Sequence, residues 1–262
     1  MAPKTSTPAG AALPGVAAAD IAREIVAALR AVADPTRAAP MAAYMRHRCV
    51  FLGVATPQRR AATRAPIAAA RATRDADLAL AVAAALWQEP WREYHYAGVD
   101  LLAACAGALR PAALPVLRTL IVTHSWWDTI DGLAKHVVGA IVMRHRGAAT
   151  TMDRWAVAPN PWLRRTAILH QLGFKEATDG DRLFRHCLAN ARDADFFLRK
   201  GIGWALRQYA YVEPERVAAF LDAHADALSP LSRREAAKHL SPPSRDRTAS
   251  PGRGSPGAPA RR

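Results

Sequence analysis

Of the 262 residues, three are cysteines, and aromatic side chains make up 7% of the chain. Cys49, Cys105 and Cys187 are odd in number and far apart, each in an apolar or helical context, so they read as buried free thiols rather than a disulfide framework. The histidines form no HExxH and pair with no CxxC, which argues against a zinc site, and neither a GxGxxG nor a GxxxxGK[ST] phosphate loop is present. No metal and no cofactor is expected. No apolar run approaches the roughly 18 to 20 residues that cross a bilayer, which excludes an integral membrane protein. The first twenty residues, with one lysine and an Ala/Pro/Gly stretch, are too weakly hydrophobic for a signal peptide, so the cytoplasm is the expected compartment.

Acid is also scarce. Against 36 Lys and Arg stand 22 Asp and Glu, a formal charge of +14. A surface of that sign gains affinity for a polyanion by releasing counterions from phosphates, so nucleic acid leads as a partner, with membrane lipid as the rival. What is abundant is apolar, 51% of the chain, and much of it is alanine. Helix propensity therefore dominates and strands are not expected.

Residues 1–15 read as a disordered Pro/Ala/Thr arm, 16–240 as one folded domain, and 241–262 as a disordered tail with five arginines and one aspartate. Helical patterns cover 16–33, 36–48, 57–73, 75–87, 90–108, 112–122, 126–145, 151–157, 161–173, 179–192, 195–210, 213–225 and 230–240. Cap chemistry places helix starts at Thr56-Pro57, at Ser125 and at Ser232, the two serines each having an acid three residues on. A dozen helices joined by turns and arranged in pairs suggest an all-α fold, a curved α-solenoid of HEAT-like repeats.

Four stretches carry possible chemistry. In SWWDTID, a Ser125 cap would give Asp128 the job of bonding back to the helix start, and Trp126 falls in line with Ile130, Leu133, Val137 and Ile141 on a core-facing stripe. Trp127 and Asp131 stand one turn apart on another face. That pair is available for work or is a half-buried Trp beside a solvated acid. In FFLRKGIGWALRQYA, Lys200, Trp204 and Arg207 share a face distinct from the apolar stripe. Cations for phosphates around an aromatic plane suit nucleic acid, and a surface cation-π cluster is the structural alternative. In NPWLRRTAILHQL, Arg164 and Arg165 differ by about 100° around a helix, so one of them shares a face with a ligand. In YMRHRCVFLGVATPQRR, Tyr44, Arg46, Arg59 and neighbouring cations lie in one helical hairpin with a helix N-terminus, a favourable place for phosphate.

With WREYHYAGVDLL and LSPLSRREAAKHL, these blocks run in an order that resembles the AlkD family of DNA alkylation repair proteins, the HEAT-like-repeat alkylpurine DNA glycosylases, over about residues 20 to 240. The resemblance implies a curved all-α solenoid cradling duplex DNA that contains alkylated purines, and hydrolysis of the N-glycosidic bond of N3- or N7-alkylated purines. It implies Asp131 as the catalytic acid, Trp127 and Trp204 as flanking aromatics, Arg165 rather than Arg164 as the supporting arginine, Tyr44 as a DNA-facing tyrosine and Arg207 as a backbone contact; the basic stretches add Arg46, Arg59 and Lys200 as expected DNA contacts. His124 stands where the family's pattern leads one to expect a lysine. A monomer without cofactor is expected, and the alternative is a non-catalytic HEAT-like DNA-binding scaffold.

Overall fold

A computed structural model describes residues 14–240. The arm and the tail expected at the two ends lie outside these residues, except that the first helix already opens at Pro14. Among the described residues there is no strand, and one isolated parallel bridge joins Val50 to Trp91. No helix there is long and apolar enough to cross a membrane.

The chain begins with α1 (Pro14–Ala31) and α2 (Pro35–Tyr44), continues through α3 (Thr56–Thr73), α4 (Ala76–Trp87) and α5 (Arg92–Ala104), and reaches α6 (Leu114–Val122). Then come α7 (Trp127–Gly132), a π-helical turn (Leu133–Val138) and α8 (Gly139–Arg144). The last part holds α9 (Ala149–Ala156), α10 (Pro161–Leu169), α11 (Gly180–Ala189), α12 (Phe196–Ala210), α13 (Pro214–Ala223) and α14 (Pro230–Ala236). Each helix packs mostly on others near it in sequence: α1 on α3 and α4, α4 on α5, α10 on α9 and α12, and α12 on α13 and α14. That neighbour-on-neighbour packing is the mark of a helical repeat array.

Apolar spacing drives the assembly. In α1, Ala18, Ala22, Ile25 and Leu29 recur every three or four residues and all are buried, with Ile25 and Leu29 fully so. Each such aliphatic side chain contributes about 1.5–3 kcal/mol through its removal from water. One core runs from α1 to α10, and a second joins α10 to α14. A third cluster, much smaller, gathers Met45, Phe51 and Trp126 with Trp127, Trp162 and Phe197.

None of the three expected cap residues sits at its N-cap, and of the residues found there only Ser229 caps with its side chain. Ala55 is the N-cap of α3, with Thr56 and Pro57 inside the helix. Trp126, fully extended, precedes α7, and the Ser125 hydroxyl instead donates back to the Ile121 carbonyl at 2.7 Å. Ser229 caps α14, while Ser232 lies buried inside it and donates to the Arg199 carbonyl at 2.8 Å.

Several helices are shorter than their patterns, two of them for visible reasons. The second, expected to reach 48, stops at Tyr44 because Arg46 and His47 turn into the left-handed region at φ 54° and 55°. The helix expected over 126–145 is interrupted by the π turn, whose wider winding shifts the phase of the residues after it. Ile130, Leu133, Val137 and Ile141 all remain fully buried.

The segment between α2 and α3 is held by a buried acid. The Glu93 carboxylate accepts from the backbone N–H of Leu52, Gly53 and Val54 at 3.0, 2.9 and 3.0 Å. Gly53 has φ +87°, and a Cβ there would fall on the Asp34 carbonyl, so only glycine fits. This anchoring fixes Tyr44 and Phe51 beside the N-terminal end of α7.

Candidate active site

The start of α7 carries two aspartates with different surroundings. Asp128 points inward. Arg92, fully buried on α5, donates to both of its oxygens at 2.9 and 2.5 Å, and the Tyr96 hydroxyl donates to it at 2.5 Å. The remaining donors of Arg92 go to the Thr129 hydroxyl at 2.9 Å, the His124 carbonyl at 2.7 Å and His95 Nδ1 at 3.2 Å. Burial, with Asp128 beside it, raises the Tyr96 pKa and keeps that hydroxyl protonated as a donor. Asp128 therefore has the structural job expected of it, but through a buried ion pair rather than a capping box.

Asp131 lies one turn later. Arg165 of α10 meets it side by side, Nε to Oδ1 at 2.7 Å and Nη2 to Oδ2 at 2.9 Å. The third arm of the guanidinium donates to the Phe197 carbonyl at the start of α12. Arg165 is 4% exposed and Asp131 16%, so the carboxylate is the part of the pair that meets solvent. Arg164 turns away to pair with Asp193 at 2.8 Å. Gly201 eases the close approach of α12: a Cβ there would sit 3.0 Å from Arg165 Nη1, so the guanidinium would have to give by a few tenths of an ångström.

Burial raises the Asp131 pKa, opposed by the hydrogen bonds and charge of Arg165 and assisted by Asp128. The carboxylate thus opens onto a cleft of about 400 Å³ lined by Tyr44, Arg46, Trp127, Phe196, Lys200 and Trp204, with Arg165 and Phe197 at its wall. Tyr44, 72% exposed, meets Trp127 edge-on with ring centroids 6.2 Å apart. Beneath them Trp126, Trp162 and Phe197 pack at centroid distances of 4.8 to 5.8 Å. Four separate segments therefore meet here, and seven of the nine residues singled out from the sequence line one cavity.

The model of the family described as DNA alkylation repair enzyme matches residues 25–240. The chain belongs to that family. Among solved structures, a predicted DNA alkylation repair enzyme from Enterococcus faecalis is 31% identical, with a TM-score of 0.74, covering 79% of this chain and 96% of its own. None of the curated proteins matches the chain.

Two of the nine residues of this repair-family chain lie outside the cleft, and both are spoken for. Arg59 is buried, donates from Nε to Asp100 at 3.1 Å and lies over the Tyr96 ring at 4.8 Å. That guanidinium braces Tyr96 and lines an adjoining cavity with Tyr44 and Trp127, outside the Asp131 cleft. Arg207 pairs with Glu235 of α14 at 3.0 Å, and the same carboxylate takes Lys200 and Lys238 at 2.9 and 2.8 Å.

Sequence reasoning missed four contributors to the site. Glu235 was legible only as a capping acid, yet it positions the cations flanking Trp204. Arg92 and Tyr96, in the WREYHY block, gave no sign of their partner because Asp128 is more than thirty residues away. Phe197 contributes a carbonyl, which no side-chain pattern can announce. His124, with φ 50°, stacks on His95 at 4.9 Å, and Arg92 takes its carbonyl.

Lys238 and Lys200, foremost among its partners, pull the Glu235 pKa down to about 2. A depressed folded-state pKa stabilises the fold above the unfolded value, about 4.3 for Glu, and that stabilisation is lost as pH falls through the folded value. Urea unfolding of wild type and Glu235→Gln is thus expected to show a stability gap that is constant above about pH 5 and closes toward pH 2. A gap independent of pH would place the effect of the substitution outside the ionised carboxylate.

Proposed function

We propose that this protein is a DNA glycosylase that hydrolyses the N-glycosidic bond of cationic N3- or N7-alkylated purines in duplex DNA, with Asp131 as its key carboxylate. The observation that carries the reading is the Asp131–Arg165 pair: a carboxylate fixed from behind by a buried guanidinium, facing a cleft with Trp127 and Trp204 on its sides. Family membership supports the role in alkylation repair.

The chemistry suits those groups. An N7- or N3-alkylated purine already carries positive charge, so the C1′–N bond breaks with its electron pair passing to the base, which leaves neutral without prior protonation. Positive charge then develops on the sugar. A preorganised carboxylate in a site screened from water stabilises that charge more than it stabilises the ground state. Water adds its oxygen to C1′, and Asp131 orients it and receives the released proton. Trp127 and Trp204 offer π faces to the cationic sugar and base, each worth about 0.5–2 kcal/mol. Arg165 holds the carboxylate in place and in its ionised form. Tyr44, Arg46, Lys200 and Arg207 would supply contacts to the DNA backbone.

Single-turnover release of 7-methylguanine from duplex DNA by the purified protein tests the reading directly. Binding of the duplex without release would favour the scaffold alternative.

The pH dependence follows from the burial of Asp131. Catalysis needs the ionised form, and burial raises the carboxyl above its ordinary value. The rate is therefore expected to fall on the acid side at a pH above the roughly 3.9 of an unperturbed aspartate. Arg165→Met should move that limb further up, since the guanidinium is what opposes the desolvation. A limb that stays where it is in the variant would detach Arg165 from the ionisation of Asp131.

A further inference from the structure

At the C-terminal ends of α3 and α5, neither of which lines the Asp131 cleft, lies a second cavity. Helix α3 runs from Arg59, near Tyr96, to its left-handed C-cap Arg74, and α5 runs from Tyr96 to Cys105. Fifteen residues at 1.5 Å each put Arg74 about 22 Å along α3 from Arg59, and the cavity shares no lining residue with the Asp131 cleft. The cavity there, about 540 Å³, is lined by Arg71, Arg74 and Arg110, with Asp75, Cys105 and Gly107 among the remaining wall.

Three features distinguish it from an ordinary basic surface. First, the arginines converge from two segments, Arg71 and Arg74 from the end of α3 and Arg110 from the turn after α5. Second, none of the three has a carboxylate within ion-pair distance among the described residues, which they share with Arg46 of the cleft, whereas Arg92, Arg164, Arg165 and Arg207 are each paired. Asp75, the acid in the wall, is occupied in capping α4, accepting from the N–H of Asp77 and Leu78 at 2.9 and 3.0 Å. Third, the turn bearing Arg110 is braced from inside, because Arg144 donates to the Ala106 and Leu109 carbonyls, at 3.0 Å for the latter. A helix dipole accounts for a cation such as Arg71 in the last turn of α3, but not for Arg110 arriving from another segment.

We infer that this cavity is a second phosphate-binding site, separate from the catalytic cleft and suited to oxyanions of a phosphodiester backbone or of a free phosphorylated ligand. Arginine is the side chain for such a site, since its planar fork donates two parallel hydrogen bonds to one phosphate. A cavity larger than one phosphate, with three forks, accommodates two neighbouring groups. On a DNA-binding protein the backbone is the nearer source, and contact here would lengthen the footprint beyond the lesion.

The test replaces Arg71, Arg74 and Arg110 by Gln together; all three are exposed, so the core is untouched. Affinity for an undamaged duplex of about 25 base pairs is measured across a salt series, and pyrophosphate binding is measured by calorimetry at low ionic strength. Because no lesion is involved, the outcome does not depend on glycosylase activity. The slope of log affinity against log salt is expected to fall by about 2 to 3, near 0.9 per lost phosphate contact. Pyrophosphate binding should vanish in the triple variant and persist in Asp131→Asn. Loss of pyrophosphate binding with an unchanged DNA slope would keep the phosphate site and assign it to a free phosphorylated ligand. The inference is overturned if the triple variant matches wild type in both measurements.

Discussion

Asp131→Asn is expected to lower single-turnover release of a cationic alkylpurine by about 10²- to 10³-fold, the usual consequence of removing one preorganised electrostatic partner of a transition state. The amide has nearly the shape of the carboxylate and can still accept one hydrogen bond from Arg165, so the cleft keeps its form while losing the negative charge that opposes the developing sugar cation. DNA affinity should stay within a few-fold, because Asp131 contributes no attraction to phosphate. Side-by-side measurement of release rate and duplex affinity separates these effects. Equal loss of both would point to a collapsed cleft, and wild-type release by the variant would remove Asp131 from the mechanism. Arg165, left facing a neutral amide, adds a smaller stability cost, which thermal unfolding of the variant reads independently.

The largest effect on stability is expected three residues earlier. Asp128→Ala strips Arg92 of its carboxylate partner while the guanidinium stays fully buried. Removing one member of a buried pair typically costs about 3–5 kcal/mol, because an uncompensated charge remains in the interior. For a domain of this size that corresponds to a fall in Tm on the order of 10 °C. The Tyr96 hydroxyl loses its acceptor as well, and the contact between α5 and α7 loosens. Since α7 carries both Trp127 and Asp131, activity at temperatures well below the transition should fall less than stability does. Chemical denaturation of the variant checks the magnitude. A loss under about 1 kcal/mol would mean that water reaches Arg92 once the aspartate is gone.

Much of this was legible in the chain. Alanine-rich periodic segments gave nearly every helix, because the 3.6-residue stripe is a local property and the core selects it wherever it occurs. Helix starts read from single cap residues were less secure: the N-cap positions fall at Ala55, Trp126 and Ser229 rather than at Thr56, Ser125 and Ser232, and only Ser229 bonds the helix start with its side chain. The interruption of the helix through Leu133–Val138 has no proline to announce it, although Gly132 and Gly139 flank the π turn.

The Trp127–Asp131 pair was separable from Trp126–Asp128 by helical phase alone, and the structure keeps that division. The partners of those acids were not separable. Arg164 and Arg165 are adjacent, chemically identical and equally basic to any reading of the sequence. Only the way α10 crosses α7 decides that Arg165 meets Asp131 while Arg164 meets Asp193. Arg59 and Glu235 show the same limit from the other side, one a cation buried under Tyr96 and the other an acid gathering three cations from two helices.

By itself, then, the sequence determined the helical class, the apolar faces, the basic character and the family, all of which follow from composition, local period and ordered motifs. The tertiary structure decided which charges are spent on one another and which remain available, because a pairing across more than thirty residues depends on helix crossings that no local pattern encodes.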